Sequence, residues 1–167
     1  LEREGWDITW LPVNSYGRVH PAAVHAAIRN DTILVSILHA NNEIGTLQSI
    51  REISSITQEA GILLHTDAVA TVGLIPLDVD LLGIDLLGFS AQSFYGPKGA
   101  GALYLRRGTR ILPLIEGGVQ EEGRRAGTEN VAAIVGMGIA AKEARPSISS
   151  EAKRLAHLRD RLVNGLR

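Results

Sequence analysis

Apolar positions along this chain come first in short bursts and later in long stripes, and the change in spacing divides it. Runs that alternate or stay apolar between turn-forming residues predict five strands: Asp7 to Val13, Thr32 to Leu38, Ile62 to His65, Leu86 to Ser90 and Ala102 to Leu105. Helical spacing fills the gaps. Pro21 to Ile28 opens on proline and carries alanines, and Ser49 to Ala60 places Ile50, Ile53 and Ile56 on one face before Gly61 ends it. After Gly127 the strand signal stops. Asn130 to Ala144 and Glu151 to Leu166 predict two helices, the second with Leu155, Leu158, Leu162 and Leu166 in line. Pro146 in the link Arg145 to Ser150 predicts a break, with Ser149 or Ser150 as the next N-cap.

Strands alternating with helices predict an α/β fold whose mixed, mostly parallel sheet is covered by helices on both faces. The length of 167 residues, 45% of them apolar, suits one domain: an α/β core over 1–129 followed by the terminal helices of 130–167. A net charge of −1 gives no electrostatic reason for a nucleic-acid or anionic-membrane partner. The absence of cysteine excludes disulfides, thiolate metal ligands and a thiol nucleophile from these residues, and fits a cytoplasmic protein. No apolar run reaches the ~20 residues that span a bilayer. The chain opens at Leu1, directly in a strand-like segment, which suggests a portion of something longer.

Ligands in such sheets bind beyond the carboxyl ends of the strands, and the polar clusters fall there. His39-Ala-Asn-Asn-Glu43 follows the second strand, His65-Thr-Asp67 ends the third, Ser90-Ala-Gln-Ser93 ends the fourth, and Gly123 to Asn130 occupies a later loop. Asp67 either caps a following helix or faces a positively charged ligand atom. Asn41 and Asn42 offer amide groups that also serve to bond their own backbone. His65 and Asp67 are two of the three ligands of a histidine–carboxylate iron site, with His20, His39 or His157 as the third; the alternative is a core histidine. The glycine turn Tyr95 to Gly101 can present amides to an anion. Arg124, Arg125, Thr128 and a helix start suit a phosphate or carboxylate, against the reading of a solvated basic loop.

Taken in order, HANNEIGTLQSI (39–50), HTDAVATVG (65–73), GFSAQSFYGPKGAGALYLRR (88–107) and GRRAGTEN (123–130) resemble the cysteine desulfurases, with selenocysteine lyases close by. These are class V, fold-type-I enzymes dependent on pyridoxal phosphate. The resemblance covers nearly the whole chain and implies the three-layer large domain of that fold, in part. It implies that Asn42 lies near the cofactor's phenolic oxygen, that Asp67 pairs with the pyridine nitrogen, and that Ser90 holds the phosphate. Thr128 would reach the phosphate of a neighbouring subunit in a homodimer. The family substrate is L-cysteine, converted to alanine with release of sulfur.

Three positions depart from the pattern. Gln92 and Ser93 stand where the family has histidine and the Schiff-base lysine, and Ala70 stands where it has a glutamine. Serine cannot form an imine. The other lysines, Lys98, Lys142 and Lys153, lie elsewhere in the sequence. The family's amino-terminal phosphate loop and ring-stacking histidine, and its carboxy-terminal arginine and sulfur-accepting cysteine, also have no counterpart. The expectation is a desulfurase-like core with no catalytic residue of its own. Its cofactor-binding set would be Asn42, Asp67, Ser90, Gln92, Ser93 and Thr128, and it would associate as a homodimer or with a companion chain. The alternative is a non-enzymatic scaffold that keeps the old subunit interface.

Overall fold

In a computed structural model describing residues 1–167, the regular elements are α1 (Pro21–Ala27), β1 (Leu34–Ser36), α2 (Ile50–Glu59), β2 (Leu63–Asp67), β3 (Leu86–Ser90), β4 (Gly101–Leu105) and α3 (Val131–Leu166). Single 3-10 turns lie at Glu2–Glu4, Ala91–Phe94 and Gln120–Gly123. The strands form one sheet in the order β1-β2-β3-β4. β1 and β2 are parallel, with Leu34 opposite Leu63 and Ser36 opposite His65. β4 returns antiparallel to β3: the Ala91 amide donates to the Ala100 carbonyl, and Gly101 stands against Phe89 and Ser90. The sheet is therefore mixed and mostly parallel, the α/β class read from the sequence.

The chain divides into two compact units, Leu1–Ala68 with Asp78–Leu87, and Val69–Leu77 with Gly88–Arg167. The first is built around Val24, Ile50, Ile53, Leu64 and Ile84, all at most 1% exposed. α1 packs on α2 and α2 on β2, because isoleucines at helical spacing meet the inward residues of a strand. Gly83 has φ +66 and lies against Ser54, whose hydroxyl donates to the Gly83 carbonyl at 2.9 Å; a methyl group there would collide with the Ser54 hydroxyl. Buried Gln48 fastens the Asn14–Val19 turn, accepting from the Val19 amide at 2.9 Å and donating to the Gly17 carbonyl at 2.8 Å.

The second unit centres on Ala91, Phe94, Ala100 and Ala133, ringed by Val72, Phe89, Met137 and Ala140. The Phe89 and Phe94 rings are 6.2 Å apart and tilted by 43°, the spacing of a favourable aromatic pair. Gly73, at φ +78, faces Phe94 so closely that a side chain would strike its Cβ.

The structure corrects two expectations. Asp7 to Val13 forms no strand: its alternating residues have no neighbour to pair with, Trp10 is 79% exposed, and Val13 makes only an isolated bridge with Val19. Pro146 does not end the helix; α3 runs through it for 36 residues. Around Pro146 the helix is solvent-exposed, so the carbonyl its missing N–H abandons meets water, and the Ser147 hydroxyl donates to the Glu143 and Ala144 carbonyls.

Two substitutions test this packing. Thr66 is fully buried on β2 and its hydroxyl has no partner, so Thr66→Val is expected to raise unfolding free energy by about 1–2 kcal/mol. Phe94→Ala is expected to lower it by about 3–5 kcal/mol. Urea denaturation followed by circular dichroism measures both, and a destabilised Thr66→Val protein would contradict the first.

Candidate functional site

The turn after β1 is set by Asn41, whose side-chain oxygen accepts from the amides of Glu43 at 2.9 Å and Ile44 at 3.0 Å. This self-bonded loop is the local outcome expected of an asparagine there, and Gly45, at φ +71, completes it. Asn42 is left on the outside, exposed and without a side-chain hydrogen bond.

Asp67 is the last residue of β2 and is exposed. No helix follows it, since residues 69–74 form successive turns, so the capping role considered for Asp67 has no helix to cap. Two positions earlier on the same face, His65 accepts or donates through Nδ1 at 2.8 Å to the Ser36 hydroxyl, the residue opposite it in the parallel register. Burial pushes the His65 imidazole below its ordinary range, and the nearby Asp67 charge partly opposes that shift. His39, nearly buried at 7% exposure, is pushed down by burial as well. Its backbone is locked into the sheet, the amide donating to the Asp67 carbonyl at 2.8 Å. The Ser36–His65 pair escapes sequence reasoning, because only the register of two strands 29 residues apart brings the side chains together. No three His, Asp or Glu residues are gathered to hold a metal, so the iron site entertained for His65 and Asp67 is not assembled.

In the second unit, Ser90 ends β3 and begins the 3-10 turn Ala91–Phe94. Gln92 is exposed. Ser93 is half-buried, and its hydroxyl donates to the Ser90 carbonyl at 2.7 Å. Phe94 then enters the core, and Tyr95 takes the left-handed conformation at φ 67, turning the chain so that the Gly96 amide reaches the Ala91 carbonyl at 2.9 Å.

The Gly123 to Asn130 loop bonds largely to itself. Arg124 pairs with Glu122, Arg125 donates to the Gly127 carbonyl at 3.3 Å, and Gln120 accepts from the Gly127 amide at 3.2 Å. Asn130 caps α3 by accepting from the Ala133 amide at 3.2 Å. Thr128 is exposed with its hydroxyl unbonded.

Covalently held pyridoxal phosphate does not fit this arrangement. Its aldehyde requires a primary amine, and the side chain beyond the end of β3 is the Ser93 hydroxyl, turned back onto its own backbone. Lys98 lies in the following loop, Lys142 and Lys153 lie on α3, and all three are exposed.

The family model for aminotransferase class V matches residues 1–167. Cysteine desulfurase IscS of Dictyoglomus turgidum is 57% identical over 163 residues, 98% of this chain and 41% of that protein. IscS of Methanosarcina thermophila is 54% identical over 166 residues, 99% of this chain and 41% of its own length. Among solved structures, a NifS-like protein superposes with a TM-score of 0.95 at 42% identity, over 99% of this chain and 46% of that one. SspA, solved in complex with cysteine, superposes with a TM-score of 0.82 at 43% identity, over 84% of this chain and 41% of its own. The chain thus spans about 41% of the length of the curated relatives it matches.

His39 and His65 make stability depend on pH. Both bind protons less readily when folded, so their neutral forms favour the native state above the ordinary imidazole value of about 6.5. As pH falls below that value the unfolded chain takes up protons first, and stability declines until the folded imidazoles also titrate. Unfolding free energies measured from about pH 7.5 to 5.5 are expected to fall, and a His39→Gln/His65→Gln variant to show a flatter profile. An equally steep profile in the variant would assign the slope to other groups.

Proposed function

Since this chain belongs to the class-V aminotransferase family, whose members depend on pyridoxal phosphate, we propose that it is the central portion of a cysteine-desulfurase-like large domain without desulfurase activity of its own. The observation that carries this reading is Ser93, a hydroxyl bonded to the Ser90 carbonyl at the position where the resemblance requires the amine. A lysine there both holds the cofactor and moves protons at the substrate's alpha carbon, and serine can do neither. The family reaction, removal of sulfur from L-cysteine to leave alanine, therefore has no route through these residues alone. Gln92 and Ala70 remove two further groups that the resemblance places at the ring.

Asn42, Asp67, Ser90 and Thr128 retain the polar groups that the resemblance assigns to the cofactor's phenolic oxygen, ring nitrogen and phosphate. They support at most a weak, noncovalent attraction. The surviving role is association in the cytoplasm, as a homodimer or with a companion desulfurase-like polypeptide.

Spectroscopy with added pyridoxal phosphate tests the reading. The unaltered chain is expected to give no imine band and no borohydride-reducible adduct, and no alanine from cysteine. A reduced pyridoxyl group on one specific lysine, or alanine production, would overturn the proposal. Size-exclusion chromatography with light scattering tests the association, which a strict monomer capturing no desulfurase-like companion would contradict.

A further inference from the structure

Gln48 joins parts of the first unit that lie far apart in sequence. Its side chain is buried, and it bonds in both directions to the turn Asn14–Val19, accepting from the Val19 amide at 2.9 Å and donating to the Gly17 carbonyl at 2.8 Å. Its own amide donates to the His39 carbonyl at 2.9 Å and so closes the loop between those two residues at its base. The His39 amide in turn donates to the Asp67 carbonyl at 2.8 Å. One buried side chain thereby connects the turn, the loop that carries Asn42 and the end of β2.

Farther from the core the same two segments are bonded twice more. Arg18 donates through Nε to the Leu47 carbonyl at 3.0 Å, and the Thr46 hydroxyl donates to the Tyr16 carbonyl at 2.6 Å. Gly17, at φ +72, lies against Ile44, whose terminal methyl fills the space a side chain there would need. All these side chains bond backbone groups of the other segment, so they fix the path of the chain. Bonds inside the loop do something different. The Asn41 amide donates to the Thr46 carbonyl and the Gly45 amide to the Asn41 carbonyl, both at 3.0 Å, while Asn41 Oδ1 holds the amides of Glu43 and Ile44. That ring keeps the shape of the loop; its placement comes from its base and from the turn beside it.

We propose that Gln48 is a positioning residue for Asn42: by clamping the turn Asn14–Val19 to the loop, it holds Asn42 at a set place relative to the end of β2 before any ligand arrives. A loop ordered in advance spares a ligand the entropy of ordering it. The inference rests on the reading above only for what Asn42 would serve, and the clamp itself involves no cofactor.

Amide hydrogen exchange followed by NMR on the full 167-residue chain reads the clamp directly. Gln48→Met keeps a side chain of similar length and removes both of its bonds to the turn. The amides of Asn41, Glu43, Ile44 and Gly45 are expected to exchange at least about tenfold faster in this variant. Those of Leu64 and Asp85, which bond within the core of the same unit, are expected to change by less than about twofold. A Gln48 that served stability alone would accelerate both groups by the same factor. Arg18→Met/Thr46→Val removes the outer bonds and leaves the buried residue in place, so it reads the clamp even where Gln48→Met does not fold; the loop amides are expected to exchange about threefold faster. Unchanged loop exchange in the variants, or acceleration shared equally by Leu64 and Asp85, would overturn the proposal. The readout needs no cofactor, so its failure is separate from that of the reading above, which the spectra with pyridoxal phosphate decide.

Discussion

Burial of Phe94 constrains everything at the end of β3. The ring is 1% exposed among Ala91, Ala100 and Ala133, and to reach that place the chain must leave the strand through one tight 3-10 turn. The turn brings position 93 over the Ser90 carbonyl, where a hydroxyl is the right length to bond back at 2.7 Å. It also forces Tyr95 into a left-handed conformation that a non-glycine residue occupies at a cost of roughly 1–2 kcal/mol. Packing holds the backbone in a conformation that local preference would not choose. The turn is thus maintained by its apolar anchor, independently of the side chains at positions 92 and 93.

Much of the fold was legible because its signals are local. Leu86 to Ser90 has turn residues at both ends and is β3 as read; β2, α1 and α2 differ from their expected ranges by only a residue or two. The failures share one cause, which is that a pattern along the chain does not say what lies beside it. Asp7 to Val13 alternates well, yet a strand needs a neighbour and this one has none but the Val19 bridge. Pro146 breaks a helix where the carbonyl it leaves without a donor is buried, and in the solvent-exposed middle of α3 that carbonyl is open to water.

The candidate site was legible to a similar depth. That Asp67 and Ser90 end their strands follows from strand boundaries, and their positions agree with that reading. The local bonding was not legible. Arg124 and Arg125 look free in sequence but serve Glu122 and the Gly127 carbonyl. His65 looks isolated but meets Ser36 through the strand register. Basic and polar residues in loops are first partners to their own neighbourhood, and only what is left over is open to a ligand.

β1 contributes only three residues to the end of the sheet, with Val35 buried and Leu34 44% exposed. A strand at the end of a sheet order offers backbone groups to other chains, and brevity is among the defences natural proteins set against it. Ser36 interrupts the apolar line on the Leu34 side, and Arg29, Asn30 and Asp31 precede the strand with charge and a turn. Three residues of backbone offer few groups for another chain to pair with, and the charges before them interrupt any longer ladder.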